Sequence, residues 1–326
     1  MKHKNYYEIN VRDNYDLGLK TGELLESITR SSLEKRKKKV NWKAKTENAK
    51  KYLEVTNKFF PQYIEEINGY AVASHISFED LWTLMTDVEM SQDNPEKCTS
   101  FVTRNGKIIS HNEDWEKDSE NDICVLKKTL KNITLLELYY YNTLGGVSIS
   151  VNSHGYVQAI NTLDHTDSQI GVPRNIIARW LSETKDIEKD YKKLILIPRA
   201  NGYNHVIVNR ESVWNLECTA SQQILLKPPH PFIHTNHYLS EKLIPFEKTE
   251  HLTHTFQRYE KAKSLVKNKM LMEEIIKVNS DISKGPRASI MNERTIAKMI
   301  IDLKNKIAKI WLKRESEKDW IDYPLT

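Results

Sequence analysis

A cysteine and a run of polar side chains stand close together in the stretch EKCTSFVTRNGKIISHNEDW, residues 96–115. A cysteine attacks carbonyl carbon as a thiolate, yet a thiol with an ordinary pKa of about 8.5 is mostly protonated at neutral pH and needs a base. The polar run offers an imidazole, an amide and two carboxylates, from His111, Asn112, Glu113 and Asp114. A carboxylate beside a thiol raises the thiol pKa by charge repulsion. These residue types therefore indicate a nucleophilic Cys98 whose base is missing from the local sequence.

The dipeptide Asn105-Gly106 predicts how this stretch folds. Asn-Gly is the strongest short signal for a two-residue type I′ hairpin loop, because both central positions need positive φ. Each strand residue then faces the one equally distant on the other side of the turn, which puts Cys98 opposite Glu113. We expect the thiol to lie within side-chain reach of Asn112 and Asp114. The competing interpretation is that Cys98 is a small half-buried hydrophobe and that the polar run only forms a turn.

Helical patterns precede this stretch. Residues from about 14 to 90 carry apolar residues at three- and four-residue spacing, and Ser77 with Asp80 three residues on predicts the start of the last helix. Segments rich in β-branched and aromatic residues follow and predict strands: ITLLELYYY, GGVSISV, GYVQAINTL, KLILIP, NHVIVN and VWNLE. The segment GVPRNIIARWLSETKDIEKDY between them predicts one helix opened by Pro173.

The C-terminal segments complete a layered pattern. HTFQRYEKAKSLVKN and MLMEEIIKVN predict helices, whereas TIAKMIIDLKNKIAKIWL fits both a helix and a hairpin. Helices before, within and after a series of antiparallel strands predict an α+β fold built in layers.

Composition limits the class of protein. With 326 residues, of which 39% are hydrophobic, the chain can bury a large core. Charge interrupts the N-terminal segment every few residues and no apolar run reaches membrane-spanning length, so we expect a soluble, cytoplasmic protein. The cysteines at 98, 124 and 218 match neither a disulfide framework nor a zinc motif. The net charge of +5 is small, and its basic run EKRKKK, residues 34–39, is typical of a solvated helix end rather than a nucleic-acid site.

Several motifs, in order along the chain, resemble those of the N-terminal-nucleophile hydrolases related to acyl-coenzyme A:6-aminopenicillanic acid acyltransferase. They are CTSF at Cys98, the hairpin ending in NEDW, the block VNSHGYVQAINTL with the following GVP and RWL, and HTNH at residues 234–237. The resemblance covers roughly residues 60–326. It implies a four-layer αββα sandwich of antiparallel sheets in which TIAKMIIDLKNKIAKIWL is the last hairpin.

The resemblance also supplies the missing base. Members of that family cut the peptide bond before the cysteine, here Lys97–Cys98, so that Cys98 becomes a chain terminus. An α-amine has a reference pKa of about 8, so a useful fraction is neutral near physiological pH and can accept the thiol proton. The implied products are an N-terminal helical fragment, residues 1–97, and a catalytic β-rich fragment, residues 98–326, which together form one structural domain.

Roles for the other site residues follow from the same resemblance. Asp114 is expected to hold and polarise the amine, with Asn112 as a second candidate. Asn236 is expected to donate to the oxyanion that forms on the attacked carbonyl. Asn152 is a looser match for a second oxyanion donor, and His111 is expected to support the site from the same strand end.

The expected reaction transfers an acyl group from a small amide or thioester to Cys98 and then to water or an amine. It needs no cofactor and no metal, and neither nucleic acid nor a membrane is an expected partner; a homo-oligomer is compatible with the sequence. The region IMNER, residues 290–294, lacks the Ser-Arg pair of the family's prototype, so penicillin acyl transfer is not expected.

Two other interpretations remain open at this point. A metal hydrolase could use His230, His234 and His237, with His251 and His254 nearby, although the segment PPHPFIHTNH has no H-E-x-x-H pattern. A non-enzymatic binding protein could instead hold an acidic partner on its basic N-terminal helix, with the chain never cut before Cys98. Cys124 and Cys218 are expected in the core.

Overall fold

The computed structural model describes residues 2–90, 97–116, 119–250 and 252–325. Within these ranges the chain folds into two β-sheets and a set of α-helices. The helices, in chain order, are α1 Asn14–Lys39, α2 Trp42–Phe59, α3 Pro61–Ala73, α4 Phe78–Met90, α5 Arg174–Ser182, α6 Ile187–Leu194, α7 Thr253–Leu265, α8 Met272–Asn279 and α9 Gly285–Ala288.

The strands divide between a larger and a smaller sheet. In chain order they are β1 Tyr6–Val11, β2 Lys97–Thr103, β3 Ile108–Asp114, β4 Ile123–Leu130, β5 Ile133–Tyr140, β6 Ile149–Asn152, β7 Val157–Thr162, β8 Tyr203–Val208, β9 Val213–Cys218, β10 Gln223–Leu226, β11 Phe232–His234, β12 Thr295–Asp302, β13 Ile307–Leu312 and β14 Ile321–Pro324. The spatial order is β1-β4-β5-β6-β7-β8-β9-β10 in the larger sheet and β11-β2-β3-β12-β13-β14 in the smaller one.

Three separate cores define four layers. Side chains of both sheets, such as Val102 of β2 and Val125 of β4, share one buried apolar cluster between the sheets. The outer face of the larger sheet packs against α1 to α6 in a second cluster, and the outer face of the smaller sheet packs against α7 and α8 in a third. Because each sheet buries one face on its partner and the other on helices, the architecture is the expected α+β sandwich of αββα type.

One strand pair departs from the predicted antiparallel sheets. β1 runs parallel to β4, with Tyr6 beside Val125 and Val11 beside Leu130, and every other strand pair among the described residues is antiparallel. No sequence pattern predicted β1. Its position means that the N-terminal segment contributes a strand to the larger sheet as well as the helices that cover it.

The helix predictions are mostly confirmed. Helices α1 to α4 cover the predicted helical region, and the Ser77 hydroxyl accepts a bond from the Asp80 backbone N–H at 3.1 Å, as its position before α4 predicts. The segment expected to be one helix forms two, α5 and α6, because the Asp186 carboxylate caps a new helix by accepting from Lys189 N. KLILIP, predicted as a strand, forms the end of α6 and the turn after it. The ambiguous C-terminal segment is the hairpin β12–β13.

The basic run at residues 34–39 is partly used inside the fold. Arg36 pairs with Asp87 at 2.5 Å and Lys37 with Asp80 at 3.0 Å, and both acidic residues lie on α4. These cations therefore fasten α1 to α4, which leaves fewer charges for an acidic partner. Within the described ranges, every helix is too short or too polar to span a membrane.

Candidate active site

The hairpin of β2 and β3 has the predicted register. Asn105 and Gly106 have φ of 54° and 82°, and the Lys107 backbone N–H donates to Arg104 O at 3.2 Å across the turn. Cys98 pairs with Glu113. The Asn-Gly signal thus placed the cysteine correctly along the neighbouring strand.

Strand alternation, however, puts Asn112 and Asp114 on the other face of β3. Directly opposed residues share a face, whereas their neighbours point the other way. Cys98 follows the parity of Val102, whose side chain lies in the core between the sheets, and it is buried. Glu113 shares that face, while Asn112 bonds the end of α8. The expected convergence of the Cys98 thiol with the side chains of Asn112 and Asp114 is therefore wrong, and the polar residue beside the thiol is Glu113.

The Glu113 carboxylate is the centre of a buried polar network. The Cys98 thiol lies 3.5 Å from its Oε1, and the Tyr140 hydroxyl donates to the same oxygen at 3.0 Å. His111 Nε2 lies 2.9 Å from Oε2, and the Ser148 hydroxyl also donates to Oε2. The other ring nitrogen of the histidine, Nδ1, lies 2.8 Å from a second hydroxyl, that of Ser100.

The backbone of Cys98 is held on both sides by Asn236 and Arg258. The Cys98 N–H donates to Asn236 Oδ1 at 2.8 Å, and Arg258 donates to Cys98 O at 2.8 Å and to Thr99 Oγ1 at 3.0 Å. Arg258 also donates to Asn236 Oδ1 at 2.8 Å. Two donors meet at this oxygen, which fixes the orientation of the amide: Asn236 accepts from the Cys98 backbone N–H, and its Nδ2 donates to Thr162 O at 3.1 Å.

Asp114 lies beside the peptide that precedes Cys98, because it pairs with Lys97 across the hairpin. Its carboxylate accepts from Asn292 Nδ2 and from the Thr295 hydroxyl, each at 2.6 Å. Burial raises the pKa of Asp114 to about 7, although the Arg258 guanidinium and these two donors act in the opposite direction. Burial also lowers the pKa of Arg258.

Asn112 and Asn152 have structural partners instead of the expected site contacts. Asn112 Nδ2 donates to Asn279 O and Ile290 O, so it fastens the end of α8 and the segment before β12 to the sheet. Asn152 Nδ2 donates to Ser182 O and Thr184 O, and its Oδ1 accepts from the backbone N–H groups of residues 154 and 156. Asn152 is therefore a turn residue, and the loose match to an oxyanion donor is not supported by its contacts.

The other two cysteines lie in the core between the larger sheet and its helices, as expected. Burial raises the pKa of the Cys124 thiol to about 12 and that of Cys218 to about 11. These values make both thiols poor nucleophiles, because the thiolate is the reactive form. Cys218 faces away from the space between the sheets, which is the face that Cys98 shares with Glu113.

Two of the histidines that a metal hydrolase would use, His234 and His237, bond protein groups. His234 Nε2 lies 3.0 Å from Glu217 Oε1 and its Nδ1 lies 2.7 Å from Thr235 O. His237 Nδ1 contacts the hydroxyls of Thr235 and Thr255, and His251 lies outside the described residues. In the part of the chain that the structure describes, the set with metal-ligand spacing is a different one, Cys98, His111 and Glu113, whose ligand atoms lie within 4.8 Å of one another.

Arg258, Tyr140 and Ser148 are site residues that the sequence analysis did not identify. Arg258 lies on α7, whose apolar spacing predicted a helix without marking any of its charged residues as buried. Tyr140 stands in a run of three tyrosines, of which strand parity sends only the middle one to the core between the sheets. Ser148, which also bonds Glu113, lies just before β6, and no local sequence pattern marks it as a site residue.

The comparison with known proteins places the chain in a family. Residues 102–317 match the model of the acyl-coenzyme A:6-aminopenicillanic acid acyl-transferase family, and this match covers more than half of the chain. The chain belongs to this family. The matched residues include Asp114, Asn236 and Arg258 and begin just after Cys98.

The individual proteins that resemble the chain have low sequence identity to it. The beta-alanyl-dopamine/carcinine hydrolase of Drosophila melanogaster is 26% identical over 158 residues, which are 41% of this chain and 41% of the relative's length. Among solved structures, penicillin V acylase from Agrobacterium tumefaciens has a TM-score of 0.42 at 11% identity, over 67% of this chain and 83% of its own. A mutant of conjugated bile acid hydrolase from Clostridium perfringens has a TM-score of 0.43 at 10% identity, over 70% and 92%.

Proposed function

We propose that this chain is a self-processing cysteine amidohydrolase or acyltransferase. It cuts its own Lys97–Cys98 bond, and Cys98 then accepts the acyl group of a small amide or thioester and passes it to water or an amine. The observation that carries this proposal is the arrangement around one residue: Asn236 holds the backbone nitrogen of Cys98, Arg258 holds its carbonyl, and the thiol contacts a buried carboxylate.

The cut turns the backbone nitrogen of Cys98 into the general base. As part of the peptide this nitrogen donates to Asn236 Oδ1, and as a primary amine it can keep that bond with its lone pair directed to the thiol. Asp114, which pairs with Lys97 across the hairpin, would then lie next to the new amine and stabilise its protonated form. A primary amine with a reference pKa of about 8 suits a base that works near neutral pH.

The oxyanion that forms on the attacked carbonyl needs a donor. An amide NH2 group carries two N–H bonds, and one of those on Asn236 Nδ2 donates to Thr162 O. We assign the second to the oxyanion, as the sequence analysis expected of Asn236. One such preorganised donor typically contributes a factor of about 10² to 10³ in rate.

The family and the named relative support a small amide as the proposed substrate. The relative's name, beta-alanyl-dopamine/carcinine hydrolase, makes beta-alanyl amides of small amines the first substrates to test. The cysteines are free thiols, and a reducing compartment such as the cytoplasm, which is the location we propose, would keep Cys98 in that form.

The test begins with the purified wild-type chain. Intact mass spectrometry should detect two fragments, residues 1–97 and 98–326, and sequencing of the larger one should begin Cys-Thr-Ser-Phe. Size exclusion without denaturant should keep the fragments together, because β1 and α1 to α4 belong to the same core as the larger sheet. Incubation with beta-alanyl-dopamine and carcinine should release free amine and leave a transient acyl adduct on Cys98. A chain that stays whole under all conditions would overturn the proposal.

Arg258→Met is expected to slow self-cleavage by about 10²-fold, because it removes the donors that position Cys98 O and Asn236 Oδ1. Arg258→Lys keeps the charge but not the forked geometry of the guanidinium, so its cleavage rate should lie between those of Arg258→Met and wild type. The measurement is the fraction of cleaved chain against time on a denaturing gel, with the thermal midpoint of each variant as a check on folding.

Arg287→Met is the matched control for this prediction. Arg287 pairs with Glu293 at 3.7 Å and its side chain is 66% exposed, so this variant should cleave at the wild-type rate. Cleavage of Arg258→Met at that same rate would mean that Arg258 only fills space.

A further inference from the structure

Self-cleavage poses a chemical problem that the mature enzyme does not have. Before the cut, the nitrogen of Cys98 is an amide whose lone pair is delocalised into the carbonyl, so it cannot accept a proton. The base of the mature enzyme therefore does not yet exist when the thiol must attack Lys97. Another group has to receive the thiol proton in this first step, if the proposed self-processing takes place.

We infer that Glu113 is this group: its carboxylate accepts the Cys98 thiol proton during the self-cleaving attack. The thiol and Oε1 of Glu113 lie 3.5 Å apart, both side chains are buried, and strand pairing opposes the two residues directly. The inference deepens the proposed function and rests on it. It assigns to Glu113 a role that the mature enzyme gives to its terminal amine.

The rest of the network holds the carboxylate in place. Tyr140 and Ser148 donate hydroxyl protons to it from the larger sheet, and His111 contacts it from the adjacent position on its own face of β3. His111 is itself fixed by Ser100 at its second ring nitrogen. Because every neighbour is anchored on a strand or next to one, the oxygen that faces the thiol cannot easily turn away.

Self-cleavage proceeds through a tetrahedral intermediate and a thioester on Cys98. The Cys98 sulfur forms a bond to the carbonyl carbon of Lys97 while its proton moves to Glu113, and a tetrahedral intermediate results. The bond from that carbon to the Cys98 nitrogen then breaks, and the nitrogen receives the proton, which leaves a thioester on Cys98 and a free α-amine. Water hydrolyses the thioester, releases the carboxyl group of Lys97 and restores the thiol.

Proton transfer must accompany the attack. A thiol is a much weaker acid than a carboxylic acid, so a free thiolate beside a protonated carboxyl would be rare. Sulfur becomes far more acidic as its bond to carbon forms. A carboxylate at the right distance can then accept the proton without a large change in its own basicity.

The experiment measures self-cleavage and turnover separately. Glu113→Gln should slow self-cleavage at least about 100-fold, which is the lower range for a positioned acid–base group. The kcat of its cleaved fraction, quantified by thiol titration, should fall by a smaller factor than the cleavage rate, because the amine is then the base. Glu113→Asp, which withdraws the carboxylate by one methylene, should cleave at a rate between those of wild type and Glu113→Gln. Assays should contain EDTA, since Cys98, His111 and Glu113 have metal-ligand spacing.

Glu217→Gln is the matched control, since Glu217 is a buried glutamate that also contacts a histidine, His234, at 3.0 Å. It should cleave at the wild-type rate. A pH profile separates proton transfer from packing: without Glu113 the thiolate must come from bulk hydroxide, so the cleavage rate of Glu113→Gln should rise about tenfold per pH unit until the thiol itself ionises. The cleavage rate of wild type should rise less steeply with pH, because its Glu113 carboxylate accepts the proton. This carboxylate faces Cys98, His111, Tyr140 and Ser148.

The outcomes are distinct. Folded Glu113→Gln and Glu113→Asp chains that cleave within about threefold of wild type would overturn the assignment of Glu113 and leave self-processing intact. Equal loss of cleavage and of kcat in Glu113→Gln would also overturn it, because the carboxylate would then serve both steps. Absence of cleavage in wild type would instead overturn the proposed function itself.

Discussion

Cys98→Ala is expected to remain a single chain of 326 residues under conditions in which wild type splits into two. Without the sulfur no thioester can form, so cleavage before residue 98 should fall below detection, and no amine should be released from beta-alanyl amides. The substitution removes one buried atom from a site held mainly through its backbone, so the fold should persist. Intact mass and an amine-release assay check both parts.

Cys218→Ala provides the control for this result. Both thiols are buried, but that of Cys218 packs between the larger sheet and its helices, where burial raises its pKa to about 11. The Cys218→Ala chain should therefore split and turn over like wild type. Splitting of Cys98→Ala, or loss of activity only in Cys218→Ala, would move the nucleophile elsewhere.

Local sequence could predict the parts of this site that depend on one turn. Asn105-Gly106 requires positive φ at both positions, and this alone placed Cys98 opposite Glu113. The error in assigning Asn112 and Asp114 to the face of the thiol came from the same geometry, because neighbours along a strand alternate in direction. The correct register, combined with this alternation, therefore predicts Glu113 as the residue that contacts the Cys98 thiol.

Long-range packing placed the parts that local sequence could not. Arg258 lies 160 positions from Cys98, and only the packing of α7 on the smaller sheet brings its guanidinium to the Cys98 carbonyl. β1 was missed for a related reason, since its partner β4 is more than a hundred residues away and runs parallel to it. The segment KLILIP failed as a strand because its apolar residues suit both periods, and the cap at Asp186 favours the helix.

The sheet that supports the site depends on a buried ion pair. Lys128 Nζ lies 2.7 Å from Glu137 Oε1 and donates to Leu144 O at 2.7 Å, and the two side chains are almost fully buried. Glu137 Oε2 accepts from the Gly146 N–H at 2.6 Å. Burial lowers the pKa of Lys128, since desolvation disfavours its charge. Both residues lie on strands adjacent in the larger sheet, β4 and β5.

Lys128→Met is expected to lower the free energy of unfolding by about 3 to 5 kcal/mol, because it leaves the Glu137 charge buried without its partner. Urea titration in the Cys98→Ala background measures this on an uncut chain. Lys309→Met, which breaks a half-exposed pair with Asp322, should cost no more than about 1 kcal/mol. Lys128→Met/Glu137→Met should recover part of the loss, since no unpaired charge remains. A single variant no less stable than Lys309→Met would mean that solvent, or Arg179, which also interacts with Glu137, compensates the Glu137 charge.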